Sequence, residues 1–167
     1  MVEQYKVRVI ELLIETGALN IGGPFKFKSG RESPNFINTG AVADGENIRR
    51  LAKGYAESAI TNFGDKFDIV FGPPYKGIPL AVAISMALAE MGHNKGWASY
   101  RKEEKTHGEA TAKGMTKAER QKQLILGHEI ADGSRILLVD DVITTGGTKY
   151  EALEVLNSVA NDLRVVG

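Results

Sequence analysis

The sequence predicts an α/β fold in which helices flank a central, mostly parallel sheet. Beyond residue 64, short apolar runs alternate with helical patterns, first over residues 67–71 and 77–91. The apolar run at residues 135–139 follows the turn signal Asp-Gly-Ser and precedes another helical pattern. Repeated strand–helix alternation is typical of parallel strands covered by helices on both faces.

The other elements follow from periodicity and capping residues. Tyr5, Val9 and Leu12 recur at helical spacing, and Gly17 can end that first helix. Asp44 can cap a second helix, whereas the polar, glycine-bearing stretch at residues 21–39 predicts no regular element. The remaining predicted elements are a strand at 97–101, a helix at 148–160 and a strand at 163–166.

Composition indicates one globular domain and argues against several classes of protein. The chain has 167 residues, 43% of them apolar, which suffices for a single core. Because 21 basic residues balance 21 acidic ones, we expect neither a nucleic-acid nor a membrane partner. The absence of cysteine excludes disulfides and thiolate metal sites. No stretch approaches the roughly 20 apolar residues of a membrane span, so we expect a cytoplasmic protein.

The segment at residues 136–148, ILLVDDVITTGGT, carries the most specific chemistry. Asp140 and Asp141 follow a strand, where two carboxylates can hold sugar hydroxyls or the waters of a bound cation. The Thr-Thr-Gly-Gly-Thr turn offers backbone N–H groups and hydroxyls at a helix start, which favours phosphate. A strand, two acids and a phosphate turn together predict a ribose-5-phosphate site. The order of residues differs from that of a P-loop, which argues against a nucleotide triphosphatase.

This thirteen-residue pattern resembles the donor-binding signature of the type I phosphoribosyltransferases. The resemblance implies one domain over residues 1–167, with a small N-terminal hood from about residues 1–40 and a mobile catalytic loop at 103–127. It implies phosphoribosyl pyrophosphate (PRPP) as donor and Mg²⁺ as cofactor, the ion being held by Asp140 and Asp141 through water. The implied donor contacts in this segment are Asp140, Asp141, Val142, Ile143, Thr144, Thr145, Gly146, Gly147 and Thr148.

A second segment, FKSGRESP at residues 27–34, resembles the N-terminal signature of the orotate-specific members of that family. The resemblance implies that Lys28 contacts the donor. It also implies that Phe36 and Ile37, together with Thr144, bind orotate. On its own, a glycine–proline segment of this kind would more often be structural.

A third segment, FGPPYKGIPL at residues 71–80, runs from a strand through a tight turn into a helix. Backbone amides and a lysine at such a turn suit a pyrophosphate, although a plain helix cap would look similar. By the family resemblance, Tyr75 and Lys76 belong to a pyrophosphate-binding loop. The same resemblance predicts a cis peptide bond between Pro74 and Tyr75.

A fourth segment, YRKEEKTHGE at residues 100–109, places three fixed cations and a histidine at the start of a long polar stretch. A charge run is usually a solvated face. Here it resembles the family's catalytic loop, which closes over the active site of the neighbouring subunit, so the resemblance implies a homodimer with shared active sites. The implied donor contacts are Arg101, Lys102, Lys105 and His107. Lys105, His107 and Asp141 are the implied catalytic residues.

These resemblances predict transfer of ribose 5-phosphate from PRPP to orotate, giving orotidine 5′-monophosphate and pyrophosphate in pyrimidine biosynthesis. One departure bears on the base: the family's orotate-binding arginine, which lies beyond the last strand, has no match in residues 1–167. A phosphoribosyltransferase for another base therefore remains an alternative. A PRPP-binding regulator without catalysis is a second alternative, weakened by the neutral charge and the lack of a helix-turn-helix extension.

Overall fold

The computed structural model describes residues 2–27, 30–102, 122–143 and 146–167. The chain forms two compact units, Met1–Ala59 and Ile60–Gly167. The first unit therefore extends beyond the predicted hood of about 40 residues, and the assignment of a hood stays a prediction. Its elements are helix α1 (Gln4–Glu15), strands β1 (Leu19–Lys26) and β2 (Glu32–Ile37), a 3₁₀ turn (Thr39–Ala41) and helix α2 (Gly45–Phe63), whose last turn enters the second unit.

The two predicted helices of the first unit are confirmed. Helix α1 buries Leu12, and Gly17 follows it in the left-handed conformation with φ of 68°. Asp44 caps α2 by accepting a 3.0 Å hydrogen bond from the backbone N–H of Asn47. A side chain at Gly54 would lie 2.2 Å from Cγ2 of Val9, so this glycine permits the close approach of α2 to α1.

The hairpin formed by β1 and β2 was not predicted. The two strands pair antiparallel, and their register shifts between Ile21 and Phe25. The irregularity contains Gly22, with φ of 103°, and Gly23, where a Cβ would lie 2.6 Å from the carbonyl oxygen of Ser33. Because glycines weaken a strand pattern and mark bulges, this segment resembles a loop when it is seen as sequence alone.

The second unit contains a five-stranded sheet that is mostly parallel, as predicted. Its elements are β3 (Ile69–Phe71), α3 (Gly77–Glu90), β4 (Gly96–Tyr100), β5 (Ile125–Gly127), β6 (Arg135–Leu138), α4 (Gly147–Val159) and β7 (Arg164–Val165). The strand order is β5-β4-β3-β6-β7, and only the β4–β5 pair is antiparallel. The α/β fold class with a mostly parallel sheet is confirmed.

The core of the second unit lies around β3 and β6. Apart from Arg135 at the start of β6, both strands are apolar, and Phe71 and Ile136 are fully buried. Leu156 of α4 belongs to the same cluster. The rings of Phe71 and Tyr100 are nearly parallel, with centroids 6.1 Å apart, which fixes the end of β4 against the end of β3.

Strand β5 corrects the prediction of a loop over residues 103–127, because its three residues pair with β4. Ser99 lies opposite Leu126, and Tyr100 lies opposite Ile125. A strand this short has no periodicity of its own, so its existence depends on the edge of β4. Residues 103–121 lie outside the described residues. Among the helices that the structure describes, none is both long and apolar enough to cross a membrane.

Candidate active site

Three predicted site segments leave the sheet at the same edge of the second unit. Strands β4, β3 and β6 are neighbours and parallel, so their carboxyl ends meet. Phe71 pairs with Ala98 on one side and with Leu138 on the other. Ligands of open parallel sheets bind at the carboxyl ends of the strands. The topology thus gathers segments that are far apart in the sequence.

The loop after β3 is closed by two glycines in contact. A Cβ on Gly72 would lie 1.9 Å from the carbonyl oxygen of Gly77, and a Cβ on Gly77 would lie 2.8 Å from Cδ of Pro73. Both ends of the loop therefore require glycine. The predicted cis peptide bond between Pro74 and Tyr75 is confirmed. The prolines are buried, whereas Tyr75 and the following lysine are exposed.

Asp140 and Asp141 follow β6, and both accept hydrogen bonds from the adjoining backbone. Asp140 Oδ1 accepts from the N–H of Asp141, and Asp141 Oδ1 accepts from the N–H of Val142, each at 2.9 Å. Burial raises the pKa of Asp140 above its usual value, the hydrogen bond from Asp141 opposes that rise, and the charge of Asp141 adds to it. Because burial disfavours the ionised form of Asp140, a cation or hydrogen-bond donor bound at this carboxyl would stabilise that form.

Lys76 connects the loop after β3 with the acidic pair after β6. Its Nζ lies 3.3 Å from Oδ2 of Asp141. The lysine side chain is 61% exposed and the aspartate side chain only 16%. The mostly buried carboxylate of Asp141 therefore holds an ammonium group that still faces solvent. The predicted pyrophosphate and ribose segments are therefore in direct contact.

Gly146, Gly147 and Thr148 are the described part of the predicted phosphate turn, and they lie at the start of α4. Gly146 is the N-cap in the left-handed conformation, with φ of 82°, and its carbonyl accepts from Lys149 N at 3.0 Å. No acidic side chain occupies the first turn. The leading amides of the helix are therefore free of competing carboxylates from that turn. Thr144 and Thr145 lie outside the described residues.

The end of β4 supplies the first two cations of the predicted catalytic loop. The N–H of Arg101 donates to Leu124 O at 2.9 Å, and Lys102 Nζ lies 3.6 Å from Glu151 Oε2. Lys105 and His107 lie outside the described residues. Their predicted catalytic roles stay predictions.

Of the base-contacting residues predicted in the first unit, Phe36 and Ile37 end β2 and are partly exposed. The Phe36 ring lies 6.1 Å from both Phe25 and Phe27, measured between centroids. Lys28 lies outside the described residues. Within its own unit, this aromatic cluster presents an apolar surface of the kind that a planar ring could contact.

Two residues at the site were missed by sequence reasoning. Glu151 contacts Lys102 from α4, but its spacing and type match any solvated glutamate on a helix. Tyr100 was included in a predicted strand and at the start of the charged segment 100–109, but no role was assigned to it. Its hydroxyl is buried and has no hydrogen-bond partner among the described residues. Burial raises the pKa of Tyr100, and the nearby negative charge of Glu151 raises it further.

Comparison with known proteins decides the family. Residues 38–161 match the family model of the phosphoribosyl transferase domain. The chain is also 40% identical over 166 residues to an orotate phosphoribosyltransferase of Clostridium botulinum, and this alignment covers 99% of the chain and 68% of the relative. The chain belongs to the orotate phosphoribosyltransferase family. The family resemblance predicted from the sequence is thereby confirmed.

Two further relatives agree with this membership of the orotate phosphoribosyltransferase family. An orotate phosphoribosyltransferase of Clostridium acetobutylicum is 44% identical, with 95% of this chain and 65% of the relative aligned. The crystal structure of an orotate phosphoribosyltransferase from Francisella tularensis superposes with a TM-score of 0.73 at 33% identity, covering 95% of this chain and 67% of that one. The chain therefore spans about two thirds of the length of these relatives.

Proposed function

We propose that this chain transfers ribose 5-phosphate from PRPP to orotate, giving orotidine 5′-monophosphate and pyrophosphate in pyrimidine biosynthesis. The observation that supports the proposal is the 3.3 Å contact between Lys76 and Asp141, because it joins the lysine predicted to bind pyrophosphate to an acid predicted to bind the ribose. The choice of orotate rests on the relatives, which are orotate phosphoribosyltransferases at 40% and 44% identity.

The cationic side chains of the site act on the leaving group. During transfer, the bond from ribose C1 to the pyrophosphate oxygen breaks. N1 of orotate bonds to C1 and loses its proton to solvent. Negative charge then grows on the pyrophosphate. Lys76 on the loop after β3 neutralises that charge, together with Arg101 and Lys102 at the end of β4. Such contacts strengthen as the charge develops and so stabilise the transition state more than the bound donor.

The acidic pair and the turn before α4 hold the remainder of the donor. Asp140 and Asp141 accept hydrogen bonds from the ribose hydroxyls, which favours the ionised form of the partly buried Asp140. Residues 142–148, with Gly146 at the helix N-cap, bind the 5-phosphate through backbone amides. Lys105 and His107 complete the clamp on pyrophosphate in this proposal.

Mg²⁺ belongs to the proposal as cofactor. Among the described residues there is no group of three His, Cys, Asp or Glu side chains that could form a complete metal cage. Asp140 and Asp141 fit instead an ion that keeps several waters and takes its other ligands from the substrate. Mg²⁺ bound in this way would neutralise charge on the leaving pyrophosphate.

The proposal also includes a homodimer with shared active sites and a cytoplasmic location. Both follow from the sequence predictions, with Arg101 and Lys102 standing at the start of the segment that would reach the neighbouring subunit. A verified monomer that retains full turnover would contradict the shared site. Sedimentation of the active protein, with turnover measured across a dilution series, provides that comparison.

The decisive experiment follows orotate absorbance after the protein is mixed with Mg²⁺ and PRPP. Asp141→Asn and Lys76→Ala are expected to abolish or strongly reduce orotate consumption. Glu90→Gln, at the exposed end of α3, serves as a charge-matched control for the acidic variant and should retain it. Binding of PRPP without consumption of orotate would instead favour another base, tested by a base screen, or a regulator.

A further inference from the structure

The contact between Lys102 and Glu151 joins a flexible cation to a rigid element. Glu151 stands in α4 next to Ala152, which is fully buried, and Leu156 one turn later is 1% exposed. The buried face fixes α4 against the sheet. Lys102 follows the end of β4 and carries its ammonium on a flexible four-carbon stem. Its Nζ lies 3.6 Å from Oε2 of Glu151.

The carboxylate of Glu151 lies close to the end of β4, since it contacts Lys102 and acts electrostatically on Tyr100. Tyr100 is the last residue of β4, and its ring stacks on Phe71 at the end of β3. The negative charge of Glu151 contributes to the raised pKa of Tyr100, after the larger effect of burial. Glu151 thus faces both the strand end and the lysine that follows it.

The two lysines of the pyrophosphate clamp that the structure describes share one arrangement. Lys76 contacts Asp141, which follows β6, and Lys102 contacts Glu151 in the helix after the same strand. Each cation is therefore held by a carboxylate from residues 141–151. Both lysine side chains remain substantially exposed, at 61% and 41%, and so remain accessible to an anion.

We propose that Glu151 is a positioning residue for Lys102, holding its ammonium over the β4 end so that it meets the pyrophosphate of the donor. This inference rests on the proposed function, since it takes Lys102 to be a donor contact. An exposed ion pair contributes little to the free energy of unfolding. Glu151 should therefore affect the affinity for the donor more than the stability of the fold. A lysine that is already held in place loses less side-chain entropy when the anion binds.

A simple charge effect predicts the opposite sign. Glu151 is an anion near an anionic ligand, so its long-range repulsion alone would make neutralisation strengthen donor binding. A positioning role predicts weaker binding after neutralisation. Glu154 is exposed on the same helix and offers a matched control for loss of one negative charge.

The test measures KM for PRPP and kcat by steady-state kinetics, and binding of pyrophosphate with Mg²⁺ by calorimetry. The variants are Glu151→Gln, Glu154→Gln, Lys102→Met and the Glu151→Gln/Lys102→Met double variant. We expect Glu151→Gln to raise KM about 3- to 10-fold, with kcat changed less than about 2-fold, and to weaken pyrophosphate binding similarly. In the Lys102→Met background the same change should have no further effect. Glu151→Asp, which keeps the charge on a shorter stem, should recover part of the loss.

Three outcomes would overturn the positioning role: tighter pyrophosphate binding in Glu151→Gln, an equal effect in Glu154→Gln, or an undiminished effect when Lys102 is already absent. Binding and turnover measured with the wild-type chain test the proposed function separately from the role of Glu151. Pyrophosphate and donor binding without orotate turnover would overturn the base assignment, while calorimetry would still decide the role of Glu151. No binding of either ligand by the wild-type chain would overturn both.

Discussion

Lys76 Nζ and Asp141 Oδ2 lie 3.3 Å apart, although the two residues belong to segments that follow different strands. Strands β3 and β6 are parallel neighbours, and Phe71 pairs with Leu138 near their carboxyl ends. The lysine at the end of one loop and the aspartate at the start of the next are therefore brought together by strand pairing. This contact joins the segments that follow β3 and β6 into one site.

The Lys76–Asp141 pair should behave as a unit in catalysis. Lys76→Met removes a cation from the proposed leaving-group clamp, and we expect kcat/KM for PRPP to fall about 100-fold, as for loss of one preorganised transition-state contact. Asp141→Asn should cause a loss of similar order, because it removes a ribose contact and frees the lysine. Steady-state kinetics of both variants and of the double variant measure the coupling.

Neighbouring residues that share a partner are non-additive. The loss in the Lys76→Met/Asp141→Asn double variant should therefore be clearly smaller than the product of the two single losses. Fully multiplicative losses would show that the two residues act independently, contrary to the shared site proposed for them.

Gly72→Ala should distort the loop after β3. The added methyl would lie 1.9 Å from the carbonyl oxygen of Gly77, which is backbone and cannot rotate away. We expect the free energy of unfolding to fall by about 1–3 kcal/mol, as for other overpacked sites. Urea unfolding measures the change. Gly45→Ala is the control, because its Cβ would meet nothing within 4 Å, and a comparable loss there would refute the steric explanation.

Tyr100→Phe should leave the fold intact or stabilise it. The Tyr100 hydroxyl is buried with no partner in the described part of the chain, so its removal deletes an unsatisfied polar group. We expect the free energy of unfolding to stay level or rise by up to about 1 kcal/mol. Tyr100→Ala also removes the ring that stacks on Phe71 and should cost about 3–5 kcal/mol. Marked destabilisation by the phenylalanine variant would reveal a partner for the hydroxyl.

Asp140 should lower stability at neutral pH while it serves donor binding. Burial raises the pKa of this carboxyl above the ordinary 3.8, so folding favours its protonated form. Its contribution is therefore most favourable below that value and is lost as pH rises through the raised pKa. Asp140→Asn should therefore make the variant more stable relative to wild type at pH 7 than at pH 3.

Urea unfolding of wild type and Asp140→Asn at several pH values between 3 and 7 tests this sign. The same variant should lose affinity for PRPP in calorimetry, because an amide replaces the proposed acceptor of the ribose hydroxyls. Asp162→Asn, an exposed change in the second unit, serves as the control. A stability difference that runs the other way with pH would mean that the folded structure favours the ionised carboxylate.

Local patterns were sufficient for the helices and for the principal strands of the sheet. The apolar run of β6 and the residues after it form a continuous segment, so both the strand and its phosphate turn could be predicted. The hairpin of β1 and β2 could not, because Gly22 and Gly23 interrupt its pattern where the register shifts. Strand β5 has only three residues, and its pairing with β4 is a contact between distant segments.

The candidate site shows the same division between local and long-range information. Asp140, Lys76 and Lys102 were recognised because each lies in a motif of characteristic residue types and spacing. Glu151 could not be distinguished from Glu154, since both are acidic residues on one helix. Only the position of α4 beside the end of β4 selects the first of them as the partner of a lysine.

By itself the sequence determined the fold class, the family and the residue types available for chemistry, because these depend on periodicity and on contiguous motifs. The tertiary structure alone decided which charges meet. Lys76 reaches Asp141 and Lys102 reaches Glu151 only because parallel pairing brings the carboxyl ends of β4, β3 and β6 to one edge. Coulomb and hydrogen-bond contacts act over a few ångströms in space, and separation along the chain does not specify that distance.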